Sequence, residues 1–566
     1  MNDKLTGQDA MFLHVEQPHA ASHGTMVYIY DQSTLGGKTL GFREIVHHIE
    51  SRLDASPVLR RRIVQVPFNL GYPFWVDDEL FDIDFHVRHF ALPKPGDWRQ
   101  FCIQVSRIHA RAIDLSRAPW EMYVIEGLDN IEGIPKGSFA VLSKIHHAAM
   151  DGMAAVELTW ALHEIQRAAG GREPVVDPAQ PVPPQGASLK WLDLMNRAFG
   201  DNIMAMSRMA APLAQVLPRI AMSRLRSLME PEGRADLTAP QTRFNTDVVA
   251  SRVWNSVTFD LAEVKQIKSV VPGATVNDAL IAVIGGAMRR YLDSKGELPD
   301  RSLLTLAPVN TRQEGTEETA SGNNVSMLRF PMGTDIADPI ARLEAVRGAT
   351  AESKEMQKAI GAKQLTDIQK FAPPATLGLA GRLAAMTGSG GKGPLVLHNC
   401  LVTNVPGPNA PLYMLGAKLI HWGGVGPVTD GMSLIWNPTS YCGKVFISLT
   451  SSPNVVPDPE FLADCLRESF EETKAAAAAA AASAAAAAPA LEVAVLNDAT
   501  ATKALAGKAA AKKAPAGKQP ARKTAAGKAL AKKPAAAPVK AIGTKPAAKT
   551  KKASAGKTRA AVPAVQ

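Results

Sequence analysis

His146-His147-Ala148-Ala149-Met150-Asp151-Gly152 places two imidazoles and a carboxylate within seven positions of a 566-residue chain. Histidine takes up and gives back protons near neutral pH, so this spacing could serve acid–base chemistry. Residues 138–145 are largely apolar and alternate, which predicts a strand. Side chains on a strand point to opposite faces in turn. Phe139, Val141, Ser143, Ile145 and His147 therefore share one face, and Ala140, Leu142, Lys144 and His146 the other. The two histidines cannot both serve one site. After Gly152, Val156, Thr159, Trp160, His163 and Ile165 follow at helical steps until Gly170-Gly171. Three readings fit: satisfied core or turn histidines with Asp151 as an N-cap, a metal site, or a general base aimed by a turn that Asp151 fixes. The diverging rings, and the lack of a Cys/His cluster nearby, speak against the metal.

Elements must hold such a strand end in place. In residues 1–175 we expect a strand near 26–30, helices at 42–54 and 98–111, and a hairpin pairing 122–127 with 139–147. Ala118-Pro119-Trp120-Glu121 forms the turn into that hairpin. Residues 176–245 form a connector, first proline-rich and extended. Its later part, 189–228, is a basic amphipathic stretch suited to a lipid surface or to packing across two domains. Residues 246–474 form a second unit. It has a strand at 253–259 and a helix opened by a Thr275–Asp278 capping box that buries Leu280, Val283, Ile284, Met288 and Tyr291. Strands follow near 303–308, 325–331, 395–403, 433–436 and 445–449, then a closing helix at 457–472. From 475 onward, alanine, lysine and proline dominate, and a disordered tail is expected.

The formal charge of +10 belongs to that tail. Of the 63 Lys and Arg residues 17 lie in 501–566, against none of the 53 Asp and Glu, so residues 1–500 carry −7. The four cysteines, Cys102, Cys400, Cys442 and Cys465, form no metal or disulfide pattern and read as cytoplasmic thiols. Neither a signal peptide nor a membrane-spanning run of about 18 apolar residues is visible.

The pattern His-His-x-x-x-Asp-Gly resembles the active-site motif of the CoA-dependent acyltransferase superfamily, which includes chloramphenicol acetyltransferase and condensation domains. Four further stretches narrow the resemblance: Ala118-Pro119-Trp120-Glu121, Asn277-Asp278, Gly322-Asn323-Asn324, and Asn404-Val405-Pro406-Gly407-Pro408 followed by Pro411-Leu412-Tyr413. In this order they resemble the bacterial wax ester synthase/acyl-CoA:diacylglycerol acyltransferase family over residues 5–472. The usual spacer in a Pro-Leu-Trp-Glu motif is absent or displaced, because Pro119 and Trp120 are contiguous.

The resemblance implies an α/β fold of two similar chloramphenicol-acetyltransferase-like domains, mixed sheets flanked by helices, with an active-site tunnel between them. It implies His147 as general base, with His146 packed behind the strand. Asp151 and Gly152 would shape the turn, Asp151 beside an arginine for which Arg312 is a candidate. Asn277, Asp278, Pro119 and Trp120 would support substrate or oxyanion. Acyl-CoA and a long-chain alcohol or diacylglycerol would be the substrates, with no metal and no cofactor. A peripheral position at the inner membrane or a lipid inclusion follows from such substrates, and the basic tail suits anionic surfaces including DNA. The competing class is a DNA- or granule-binding protein on an inactive acyltransferase scaffold.

Overall fold

The computed structural model describes residues 4–66, 71–149, 159–165, 238–310, 325–360 and 396–510. Six strands precede residue 150: β1 (His23–Asp31), β2 (Arg61–Val64), β3 (Phe74–Asp77), β4 (Val87–Ala91), β5 (Trp120–Glu126) and β6 (Phe139–His146). The later ones are β7 (Val253–Asp260), β8 (Leu304–Asn310), β9 (Val325–Pro331), β10 (Cys400–Val402), β11 (Val405–Pro406), β12 (Tyr413–Met414), β13 (Ala417–Val425), β14 (Leu434–Tyr441) and β15 (Lys444–Ser451). A first sheet has the order β12-β13-β1-β6-β5-β4, and a second runs β7-β15-β14-β10-β8-β9, with β11 also on β14.

The alternation read in 138–145 is realised in β6. Phe139, Val141 and Ile145 pack with Tyr28, Tyr30 and Trp120, while Ala140 and Leu142 pack with Phe101, Val105 and Tyr123 on the opposite face. Both faces are covered, which is why the strand is apolar nearly throughout. The second face is covered by the helix Trp98–Ala110, whose N-cap Asp97 accepts from Gln100 N at 2.8 Å and which buries Phe101, Cys102, Val105 and Ile108. The expected hairpin forms as antiparallel β5 and β6, with Trp120 opposite Ile145.

In the second half the helix Val276–Ser294 starts at the expected capping box. Thr275 Oγ1 accepts from Asp278 N at 3.2 Å, and the Asp278 carboxylate accepts from Thr275 N at 2.8 Å. Its apolar residues, Leu280 to Tyr291, enter one core with β7, β10, β14 and β15. The helix Pro339–Ile360 packs beside it. Strand β10 is shorter than expected, three residues, and β14 is longer, extending to Tyr441.

In the order of the described strands, the sequence-based division at 1–175 and 246–474 is crossed once. Strands β12 and β13 come from the second half yet complete the first sheet, β13 lying antiparallel to β1 with Tyr28 opposite Trp422. Glycine permits the crossing: a Cβ on Gly424 would stand 3.2 Å from Asn437 Cβ of β14. Trp254 Nε1 donates to Gly424 O at 3.0 Å, and Trp98 Nε1 to Asn255 Oδ1 at 2.9 Å, so β7 is tied to both β13 and the helix that covers the first sheet.

The closing helix differs from expectation. It runs Pro459–Ala510, through the alanine run and Pro489, where disorder was expected from 475. Leu462, Leu466 and Phe470 bury its first turns, and alanine, the strongest helix former, propagates them. Residues 4–490 belong to one compact unit and the remaining helical residues to a second. The rest of the tail, and the connector apart from 238–245, lie outside the described residues.

Candidate active site

Strand β6 ends at His146, and a short 3-10 turn, His147–Ala149, takes over. Three successive amides of this corner are held. His146 N donates to Pro119 O at 3.0 Å and His147 N to Ser22 O at 2.8 Å. Ala148 N donates to His146 Nδ1 at 3.1 Å. The His146 ring is fully buried, and its Nε2 lies 3.3 Å from Glu16 Oε2. Because Nδ1 accepts, the ring proton sits on Nε2 and points at the carboxylate. His146 thus packs behind the strand as expected and offers no free nitrogen.

His147, the first residue of the turn, is half-buried. It stacks on Phe12, centroids 4.9 Å apart and planes at 22°. Phe12 belongs to the helix Gly7–Val15, which Thr6 caps by accepting from Asp9 N. Burial, with a smaller electrostatic contribution from the neighbouring His146, pushes the His147 imidazole down to about 4. The ring is therefore neutral at pH 7 and carries a lone pair able to accept a proton. Leu5, Ile63 and Ala148 form a small apolar cluster beside this corner, with Phe12, Leu13 and Trp75 around it.

Pro119 acts through its carbonyl, which fixes the His146 amide. Trp120 departs from the expected substrate contact. It is 1% exposed, its Nε1 donates to Leu59 O at 2.8 Å, and its ring stacks on His86 at 4.5 Å. A side chain so enclosed braces the strand and has no face left for a substrate. Asp278 is likewise committed, to Thr275 and to Thr350 Oγ1 at 2.8 Å. Asn277 is partly exposed, and its Oδ1 accepts from Asn404 Nδ2 at 3.5 Å. The fold so joins two stretches 127 positions apart. Met150, Asp151, Gly152, Arg312 and Gly322-Asn323-Asn324 lie outside the described residues. Downstream of the motif, Glu164 pairs with Tyr413, and His163 Nε2 lies 2.8 Å from the Tyr30 hydroxyl, which docks this segment on the first sheet.

Sequence reasoning missed Glu16, Phe12 and Ser22. They stand some 130 positions from the histidines, and only the pairing of β1 with β6, His23 opposite His146, brings them close. Among the described residues, no group of three His, Cys, Asp or Glu side chains could hold a metal ion.

Comparison with known proteins agrees with this architecture. The family model for the wax ester synthase/diacylglycerol acyltransferase catalytic domain matches residues 5–280, and that for the WS/DGAT C-terminal domain matches 321–474. A Mycobacterium tuberculosis protein named as a diacylglycerol O-acyltransferase is 30% identical over 478 residues, 83% of this chain and 90% of its own length. A second one from that organism, with the same activity in its name, is 31% identical over 508 residues, 84% of this chain and 98% of its own. Among solved structures, the wax ester synthase/diacylglycerol acyltransferase of Marinobacter aquaeolei VT8 shares the fold with a TM-score of 0.58 at 23% identity. That match covers 84% of this chain and 99% of the other. The two matched family domains and the 30% identity across nearly the whole length of a relative lead to one conclusion: the chain belongs to the wax ester synthase/diacylglycerol acyltransferase family.

Proposed function

We propose that the protein transfers a long-chain acyl group from acyl-CoA to the hydroxyl of diacylglycerol or a long-chain alcohol, giving triacylglycerol or wax ester and free CoA. The observation that carries this reading is the placement of His147, half-buried and stacked on Phe12 at a corner where the amides of His146, His147 and Ala148 are each held. In the proposed reaction His147 takes the proton of the acceptor hydroxyl as its oxygen attacks the thioester carbonyl. The tetrahedral oxyanion collapses, the C–S bond breaks, and the imidazolium returns the proton to the thiolate. No covalent acyl-enzyme and no cofactor enter this scheme. Asn277, with Asn404 beside it, is the candidate oxyanion donor.

A positioned base contributes roughly 10²–10⁴-fold. Purified protein given radiolabelled palmitoyl-CoA with hexadecanol, dioleoylglycerol or water should form neutral lipid only with the two acceptors, as resolved by thin-layer chromatography. His147→Ala should lose about that factor while melting as the unaltered protein does. Near-normal turnover by His147→Ala overturns the assignment of the base.

No described helix is long and apolar enough to cross a membrane. Water-insoluble substrates, the basic connector and the basic tail support a peripheral lipid-surface location, and Lys-rich residues 511–566 suit anionic headgroups. Sedimentation with anionic vesicles, and DNA retention at rising salt, compared before and after deletion of 511–566, separate lipid from nucleic acid. The inactive-scaffold reading is not favoured, since the frame around the two histidines is intact.

A further inference from the structure

The N-terminal helix and the turn after it touch the histidine corner at three points. Phe12 stacks on His147. Ser22 O accepts from His147 N at 2.8 Å. Glu16, at the C-terminus of that helix, uses its two oxygens separately: Oε1 accepts from Ser22 N at 3.1 Å and Oε2 lies 3.3 Å from His146 Nε2. His146 Nδ1 then takes the Ala148 amide. The contacts close a ring from Glu16 to Ser22, on to the His147 backbone, through His146, and back to Glu16.

We propose that Glu16 is a positioning residue for His147: its carboxylate fixes the Nε2–H tautomer of His146 and so keeps Nδ1 free to hold the turn that presents the base. A neutral imidazole has one donor and one acceptor. The Ala148 N–H demands the acceptor at Nδ1. An acceptor-only group opposite Nε2 makes the reverse tautomer untenable, because it would set acceptor against acceptor there and donor against donor at Ala148. Ser22 N–H requires the same of the other carboxylate oxygen. Glutamine, of nearly identical shape, has one oxygen and one NH₂. Turned either way, its NH₂ meets the Ser22 N–H or the His146 Nε2–H, and relief by tautomer exchange only moves the conflict to Ala148. The ring therefore needs a carboxylate, not merely a side chain of that size. Displacing a reacting group by about 1 Å is enough to cost about 10²-fold in rate.

This inference rests on the acyl transfer proposed above, so the unaltered full chain is assayed first with palmitoyl-CoA and dioleoylglycerol. Glu16→Gln, His146→Asn and the double variant follow, each with kcat, KM for palmitoyl-CoA and a melting curve. Asparagine at 146 offers an amide oxygen near the Nδ1 position, so it serves Ala148 without help from Glu16. Glu16→Gln should lower kcat at least tenfold with KM within twofold in the native background, and by less than twofold beside His146→Asn. Retention of kcat by Glu16→Gln, or an equal loss in both backgrounds, overturns the inference alone. Absence of transfer by the unaltered chain overturns both proposals. Should Glu16→Gln not fold, a folded double variant supports the coupling, and an unfolded one overturns it.

Discussion

The two sheets bury different chemistry. The first holds His23, Glu121, Lys144, His146 and His421 in its strands, each at most 6% exposed. Among the described strand residues of the second, no His, Lys, Arg, Asp or Glu is buried; its interior polar groups are Asn255, Ser256, Thr305, Thr439, Ser448, Thr450 and Ser451. The interior of the first sheet carries side chains that can gain or lose a proton, and the second is braced by groups that keep one charge state. The second half brings neutral amides such as Asn277 and Asn404, and His398, whose imidazole burial pushes down to about 4, lies just before β10 and outside the strands.

Acid should break this contrast most strongly. Burial pushes His163 down to about 4 and His421 to about 3, and it lowers His23 and His109 well below the usual range. In each the folded-state pKa lies below the unfolded value near 6.5, so the unfolded chain takes the proton first as pH falls. Their stabilisation is whole above pH 6.5 and is lost as pH falls toward each folded value, about 4 for His163 and about 3 for His421, on the order of 2 kcal/mol at pH 5 for each of the two. Urea melts at pH 7.5 and 5 should register it, and amide exchange at pH 5 should rise in β1 and β6 before β14 and β15. Uniform exchange would mean that the two sheets do not differ as described.

Lys144 is the next largest. Burial pushes its ammonium down to about 8 against the pull of Glu121, 3.6 Å away. It donates to Ile108 O at 3.1 Å and to Arg111 O, closing the end of the helix Trp98–Ala110. Lys144→Met should cost about 3 kcal/mol in urea, near the low end for a broken buried pair, because Arg88 and Tyr123 still hold Glu121. In the second half, Asn277→Ala should lower turnover about tenfold, the range of a weak oxyanion donor. It should shift stability by less than about 0.5 kcal/mol, since Thr275 and Asp278, not Asn277, cap the helix. Unchanged turnover would confine the chemistry to the first sheet. The smallest effect is expected for Ser448→Ala, about 1 kcal/mol, although its hydroxyl is as buried as Lys144 and bonds to Ser256 Oγ at 3.1 Å.

Local signals carried much of this. Alternation placed β6, the two chain-adjacent strands paired as a hairpin, and the Thr275–Asp278 box set the start of its helix to the residue. Strand geometry could not place the second histidine, because β6 ends at His146 and His147 already belongs to the 3-10 turn. What stayed hidden depended on distance along the chain. Nothing near residue 16 announces a partner at 146, and nothing in Ala417–Val425, with two glycines inside it, announces a strand of the other half's sheet. Trp120 looked like a substrate contact because it sits in a motif, but only its packing against His86 and its bond to Leu59 reveal a brace. The closing helix runs past the expected 472 because alanine propagates a helix already nucleated by a buried segment.

The crossing of β13 has a consequence for how the chain is made. Until residue 425 has left the ribosome, β1 is an open edge, and its Val27-Tyr28-Ile29-Tyr30 run offers unpaired amides to any neighbouring strand. A product truncated before residue 413 should therefore clump instead of persisting as a half-enzyme, and the nascent first half is an obvious client for a chaperone.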